Sequence, residues 1–336
     1  MDSLTHIALG AAIGEVTLGK KIGNKALVYG AILGSLPDFD VFITPLLKPV
    51  PALFFHRGYS HSLLLILVIT PIAGWILSKI ERKQSIELKY WILFSLLPLL
   101  SHISIDCFNT YGTAILEPFS NIRVAYDSMA IIDFVFLLPL SAAAISTLFF
   151  QKQNRTRRII TWVGISLSTI YFCFTILNKI NVENKVRIQL VAQDIKFNRL
   201  LTTPVPLSNF LWLIVAENEN GYNIGYFCNF DNSKDIKFRY LPRNRELLGN
   251  LVDAKEIKEI VRFTKGFFTV ERDKNGNLKM YDLRYGSLDL KDENAYVFTF
   301  QINETPAGIE ISRSHPNRSI NSKTMANYFR RIFGNN

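Results

Sequence analysis

The chain has 336 residues, of which 49% are hydrophobic and 20% charged, with a net charge of +10. That length allows two domains, and the halves differ in kind: residues 1–178 hold 14 Lys/Arg and 10 Asp/Glu, leaving 24 and 18 for residues 179–336, so that +4 and +6 make up the +10. Three cysteines, Cys107, Cys173 and Cys228, exclude a disulfide framework and a thiolate-rich metal site, while the basic balance argues for a membrane topology signal over nucleic acid as a partner.

The N-terminus, MDSLTHIALGAAIGE, opens on an acid and lacks the basic region of a cleavable signal peptide. Six apolar stretches follow before residue 179: Leu4–Leu18, Ala26–Leu36 (continuing brokenly to Leu47), Ser62–Ile80, Tyr90–Cys107, Ala130–Phe150 and Ile159–Leu177. The last four have about the 20 residues that a spanning helix needs. The first two are short. Ala26–Leu36 makes about 16 Å of helix, half a bilayer, and Pro37 breaks it. The segment SLPDFD then places irregular backbone within the membrane's thickness, where it is tolerated only inside protein or beside a water-filled cavity. Gly10 and Gly14 have the small-xxx-small spacing of close helix packing.

Charge on the connections sets orientation. Lys20, Lys21 and Lys25 follow the first stretch, Lys79, Arg82, Lys83 and Lys89 the third, and Lys152, Arg155, Arg157 and Arg158 the fifth; the even connections carry only Lys48, Arg57 and Arg123. The positive-inside rule puts the odd connections in the cytoplasm. With six crossings, the N-terminus and everything after Leu177 lie outside it.

Past residue 178 the texture changes. ENGYNIGYFCNFD and GFFTVERDKNGNLKMYDLRYG alternate apolar and polar residues around Asn-Gly, which predicts antiparallel hairpins. FLWLIVA reads as a strand reached by an extended link through Pro204 and Pro206, LVDAKEIKEIVRFT has helical spacing, and SKTMANYFRRIF reads as a short helix. The fold class is therefore an α-helical polytopic membrane domain of about six apolar helices, residues 1–178, followed by a small soluble α+β domain, residues 179–336.

The unusual polar residues of the first half fall at one end of their segments, opposite the basic connections. His6 starts the first segment, and Asp38 and Asp40 end the second. His56 and His61 open the third, His102 and Asp106 end the fourth, and Asp127 and Asp133 flank the start of the fifth. Antiparallel hairpins then bring His6 toward Asp38, and His61 toward His102 and Asp106, which share a helix face at i, i+4. Singly, each has a bland reading as an interfacial polar residue, a turn cap or an ion-pair partner, as for Asp133 with Arg123 or Arg57. Together, imidazoles and carboxylates in a low-dielectric layer are what a divalent cation requires. Mixed N/O ligands suit zinc first, and also manganese or iron. The number of candidates allows one or two ions, or one ion with acid/base groups.

MDSLTHIALGAAIGE, GSLPDFDVF, HRGYSHSLL, SHISIDCFNTYGT and PFSNIRVAYDS, in this order, resemble the bacterial membrane-bound metal-dependent hydrolase family, also described as LexA-binding inner-membrane-associated hydrolases. The likeness covers the membrane domain and continues into LLTTPVPLSNFLWLIVA. It implies a multi-pass protein of the bacterial inner membrane with His6, Asp38, Asp40, His56, His61, His102 and Asp106 as metal-site residues. In one departure, the family's Thr-His-Pro is Ser101-His102-Ile103 here.

The expected function is metal-dependent hydrolysis by metal-activated water, with membrane lipid as the surroundings and a lipid or lipid-linked ester or phosphoester as substrate. Arg57 and Asp133 are the catalytic candidates, Arg57 as a planar clamp for an anionic group and Asp133 as a carboxylate near the layer. Residues 108–128, with Tyr111, Phe119 and Tyr126, are a candidate lid. The alternatives are a metal or proton transporter, which needs polar groups continuing to the cytoplasmic side, and a non-enzymatic membrane scaffold or regulatory protein.

Overall fold

Helix α1 (Ser3–Ile22) begins where the Asp2 carboxylate accepts from Thr5 N at 3.0 Å, and it turns at Gly23 into α2 (Asn24–Ser35). The two helices pack backbone to backbone. A Cβ on Gly10 would collide with the Gly30 carbonyl, one on Gly14 with that of Ala26, and one on Gly34 would stand 2.6 Å from the His6 carbonyl oxygen. Small residues thus replace side-chain interdigitation and bring the start of α1 against the end of α2. Pro37 follows, and the chain tightens into a 3-10 segment, Leu36–Phe42, on which Asp38 and Asp40 are both buried.

The computed structural model describes residues 2–232, 235–273, 276–287, 296–305, 308–314 and 322–334. It divides into two units, Met1–Leu46 with Phe55–Ile176, and Leu47–Phe54 with Leu177–Asn336. In the first unit, α4 (Leu63–Ile80), capped by Ser62, pairs with α5 (Leu88–Asp106), and α1 also touches α5 and α6 (Phe134–Thr147). Trp91, Phe94, Leu99 and Ile103 of α5 fill the core between Leu18, Leu33, Ile66 and Leu77. The last helix, α7 (Arg155–Ala192), has 38 residues, about 57 Å at 1.5 Å per residue.

Of the expected count of about six crossings, length and composition support four. Among the described residues four helical segments are long and apolar enough to cross a membrane: Asn24–Leu46, Leu63–Ile80, Leu88–Asp106 and Arg155–Ala192. The stretch expected over Ala130–Phe150 forms a helix of only 14 residues, because Asp133 caps it late and it stops at Thr147. The stretch expected to stop at Leu177 continues, since Val182, Val186 and Leu190 keep an apolar stripe at i, i+4, i+8 that packs on Trp212, Ile214 and Ala216.

In the second unit, helix α3 (Pro49–Phe55) sends Phe54 edge-on to Phe263, with the Arg262 guanidinium 4.1 Å from the Phe54 ring centre. Two four-stranded antiparallel sheets follow in simple order. The first comprises β1 (Arg199–Pro204), β2 (Leu211–Glu217), β3 (Gly221–Cys228) and β4 (Phe238–Pro242). The second comprises β5 (Phe268–Arg272), β6 (Leu278–Ser287), β7 (Tyr296–Thr305) and β8 (Gly308–Ser314). Strand β2 is buried on both faces: Leu211, Leu213 and Val215 join Tyr281 and Leu283 of the second sheet, while the alternate residues meet the α7 stripe. Pro204 ends strand β1, where a link was expected. The helices expected in LVDAKEIKEIVRFT and SKTMANYFRRIF are α8 (Lys255–Phe263) and α9 (Ser322–Ile332). Asn275, in the second expected Asn-Gly turn, lies outside the described residues.

Candidate metal centre

Four buried side chains from three parts of the first unit meet at one point. The 3-10 segment after α2 supplies Asp38, the turn before α4 supplies His61, and α5 supplies His102 and, one turn later, Asp106. One ligand atom from each lies within 4.8 Å of all the others. His61 Nε2 is 3.4 Å from Asp38 Oδ1 and 3.5 Å from Asp106 Oδ2. His102 Nε2 is 3.5 Å from the same Asp38 oxygen and 3.6 Å from the same Asp106 oxygen. The two Nε2 atoms are 3.0 Å apart. Ligands bound tetrahedrally at ~2.0–2.2 Å stand about 3.4 Å from one another, and five of the six separations here run from 3.0 to 3.6 Å.

The hydrogen bonds behind the rings choose the tautomer. His102 Nδ1–H donates to the Gly34 carbonyl at 2.5 Å, so the α1–α2 glycine contact also orients a ring of α5. His61 Nδ1–H donates to Ser60 Oγ at 2.8 Å, and that hydroxyl donates to Asp40 Oδ2 at 2.5 Å. Both Nε2 lone pairs therefore face inward, toward each other and toward two carboxylates. Asp38 Oδ1 is buried and accepts no hydrogen bond. Opposed lone pairs and an unsatisfied buried carboxylate oxygen are costly without a cation between them, so the residues fit a divalent metal.

A second group adjoins the first and shares Asp38: Asp38, Asp40 and His56. His56 Nδ1–H donates to Asp40 Oδ1 at 2.8 Å, and with 24% of its side chain exposed it is the open rim of the cluster. His6 stacks on His102 with ring centres 3.6 Å apart and holds Nε2 3.3 Å from Asp106 Oδ1. The expected seven metal-site residues are thus contiguous, with His6 on the outer oxygen of Asp106.

The two catalytic candidates go different ways. Arg57 is buried with a positive φ of 59°, its Nε 3.3 Å from Asp106 Oδ2 and its NH1 donating to Asn109 Oδ1 at 2.7 Å. Its guanidinium faces the cluster's own carboxylate where an incoming anion was expected. Asp133 caps α6, accepting from Val135 N at 2.9 Å and Phe136 N at 3.2 Å, and takes the Tyr171 hydroxyl at 2.9 Å. It belongs to neither ligand group.

Cys107, next to Asp106, belongs to neither ligand group, and its thiol donates to the Ile103 carbonyl. Of the expected lid, Tyr111 lies against the site, its ring centre 5.5 Å from that of His56 and 5.2 Å from the Arg57 guanidinium carbon, whereas Phe119 is exposed. Ser60 and Asn109, which orient His61 and Arg57, were not singled out from the sequence, although both stand inside the quoted HRGYSHSLL and SHISIDCFNTYGT. Polar residues inside ligand-bearing motifs were the available signal.

The family described as YdjM inner membrane protein matches residues 1–180. Over 153 residues the chain is 33% identical to a Bacillus subtilis protein named "Uncharacterized protein YfhP", a match covering 43% of this chain and 46% of that one. Over 122 residues it is 34% identical to an Escherichia coli protein named "Inner membrane protein YbcI", covering 36% of this chain and 69% of that one. The match thus spans about half the length of the first of these relatives. No solved structure matches.

Proposed function

We propose, since this chain belongs to the YdjM inner membrane protein family, that it is a multi-pass inner-membrane metal-dependent hydrolase with its cation held by Asp38, His61, His102 and Asp106. The observation that carries this reading is the set of ligand separations between 3.0 and 3.6 Å, the edge lengths of a tetrahedral metal shell. Membership agrees with the resemblance to bacterial membrane-bound metal-dependent hydrolases. Two imidazoles and two carboxylates suit zinc, and the adjoining Asp38–Asp40–His56 group suits a second ion with Asp38 shared.

A bound divalent cation supplies Lewis acidity and brings the pKa of water toward neutrality. The chain's own residues do the rest. Gly34 and Ser60 hold the two imidazoles as Nδ1–H tautomers, and Arg57 and Asn109 orient Asp106. His56, paired with Asp40 at the rim, is placed to take and return a proton at Nε2. A site among apolar helices suits a lipid or lipid-linked ester or phosphoester, and the basic connections favour an extracytoplasmic C-terminal unit. The transporter reading is weaker because the acids toward the basic end are occupied: Glu15 by a bidentate pair with Arg157, and Glu81 by Lys25 and Tyr29.

The test presents a lipid phosphomonoester and a lipid carboxylic ester in micelles to the purified protein and to His61→Ala/His102→Ala. Turnover that stops on chelation and returns with zinc only in the unsubstituted protein is expected. Cation flux in proteoliposomes without turnover of either lipid would overturn hydrolysis in favour of transport.

A further inference from the structure

The far end of α1 and the start of α7 carry positive charge that the metal centre does not use. Arg155, Arg157 and Arg158 crowd the first turn of α7, which holds no acid, although cations are disfavoured at a helix N-terminus. Arg157 is buried against Glu15 and explains itself. Arg155, Arg158 and Lys20 are exposed, and none has an ion-pair partner among the described residues. These three cations line one cavity of 730 Å³, together with Ile159, Trp162 and Leu167. A second, apolar cleft of 380 Å³ between α1, α5 and α7 is lined by Ile13, Val16, Leu97, Leu100 and Ile165. Trp162 lines both cavities, so they adjoin.

We propose that these cavities are the two halves of a binding site for one anionic phospholipid. Its phosphate sits among Lys20, Arg155 and Arg158, its acyl chain lies in the apolar cleft, and Trp162 stands at the level of the glycerol between them. Charge and apolarity are arranged in the order in which a lipid presents them, and unpaired cations beside a bilayer attract anionic headgroups. A soluble anion would use the basic cavity and leave the cleft without a role. A zwitterionic lipid would leave net positive charge unbalanced. The site is separate from the metal centre: Lys20 lies 14 residues beyond His6 along α1, about 21 Å.

Native mass spectrometry of the full-length protein in detergent tests this with dioleoyl phosphatidylglycerol, dioleoyl phosphatidylcholine and soluble glycerol phosphate. One retained phosphatidylglycerol is expected. Lys20→Gln/Arg155→Gln/Arg158→Gln should weaken it about a hundredfold, and Arg158→Gln alone about fivefold, the order expected for removing three charges or one at a lipid headgroup. Arg158→Lys should restore most of the loss. Equal retention of phosphatidylcholine, equal binding of glycerol phosphate, or undiminished phosphatidylglycerol in both Gln variants would each overturn the proposal.

Discussion

Arg57 Nε stands 3.3 Å from Asp106 Oδ2 with both side chains buried, and the Arg57 backbone reaches this position with a positive φ. The arginine is therefore the counter-charge of a carboxylate in the candidate metal centre. With no cation bound, Arg57 and the imidazoles of His6, His61 and His102 lie at ion-pair distance from that buried anion; a bound cation would add to this neutralisation. Removing one partner of a buried pair costs about 3–5 kcal/mol. Arg57→Ala should consequently destabilise the chelated protein by that order and the metal-loaded protein by much less. Thermal melts with and without chelator check this, and an equal loss in both states would refute it.

Gly34→Ala should damage the fold and the centre together. The added Cβ would meet the His6 carbonyl oxygen at 2.6 Å and the Gly10 Cα at 2.9 Å, both backbone atoms that cannot turn aside. Overpacking of this kind costs about 1–3 kcal/mol. It also moves the carbonyl that holds the His102 tautomer. Lower melting temperature with weaker metal retention is expected, and a variant that melts lower but binds metal normally would separate the two roles.

The centre was legible in the sequence because its residues fall at matching ends of successive apolar stretches, and antiparallel helices turn matching ends into neighbours. The direction of Arg57 was not legible: adjacency to His56 says nothing about where the guanidinium points, and a backbone with positive φ sets its Nε 3.3 Å from Asp106 Oδ2. Asp133 offers the sequence both helix-capping and acid/base chemistry, and its capping partners Val135 N, Phe136 N and the Tyr171 hydroxyl carry no local sequence signal. The long α7 was cut short at Leu177 because Asn178, Lys179 and Glu183 interrupt the apolar run. Its continuation was written instead in Val182, Val186 and Leu190, a one-sided stripe that needs a sheet to cover it. Nothing local in Leu47–Phe54 reveals that it belongs to the second unit, since its partners Arg262 and Phe263 lie about two hundred residues away in a chain whose contacts at that distance leave no periodic trace.

Asp133→Ala should behave as the loss of a helix cap, with a cost of about 1 kcal/mol. Metal content and any turnover per folded molecule should be unchanged. Turnover abolished with the melting temperature preserved would return Asp133 to the catalytic role.

The Glu15–Arg157 pair should be structural. Arg157→Ala leaves Glu15 buried without its bidentate partner and should cost about 3–5 kcal/mol, whereas Glu15→Leu/Arg157→Leu should recover much of that. Neither should change metal affinity once the protein is folded. Metal lost from the stable double variant would point to a polar route between the pair and the centre, and so to the transporter.

The most direct measurement is the metal content of the purified protein by elemental mass spectrometry, set beside His61→Ala/His102→Ala, with circular dichroism to show that both are folded. The unsubstituted protein should retain one or two divalent ions per chain through detergent extraction, zinc foremost, and the double variant should keep its helices but lose the ion shared by those two imidazoles. A folded wild-type protein that takes up no divalent ion when supplied with zinc, manganese or iron, or a double variant that holds as much metal as the parent, would contradict the account.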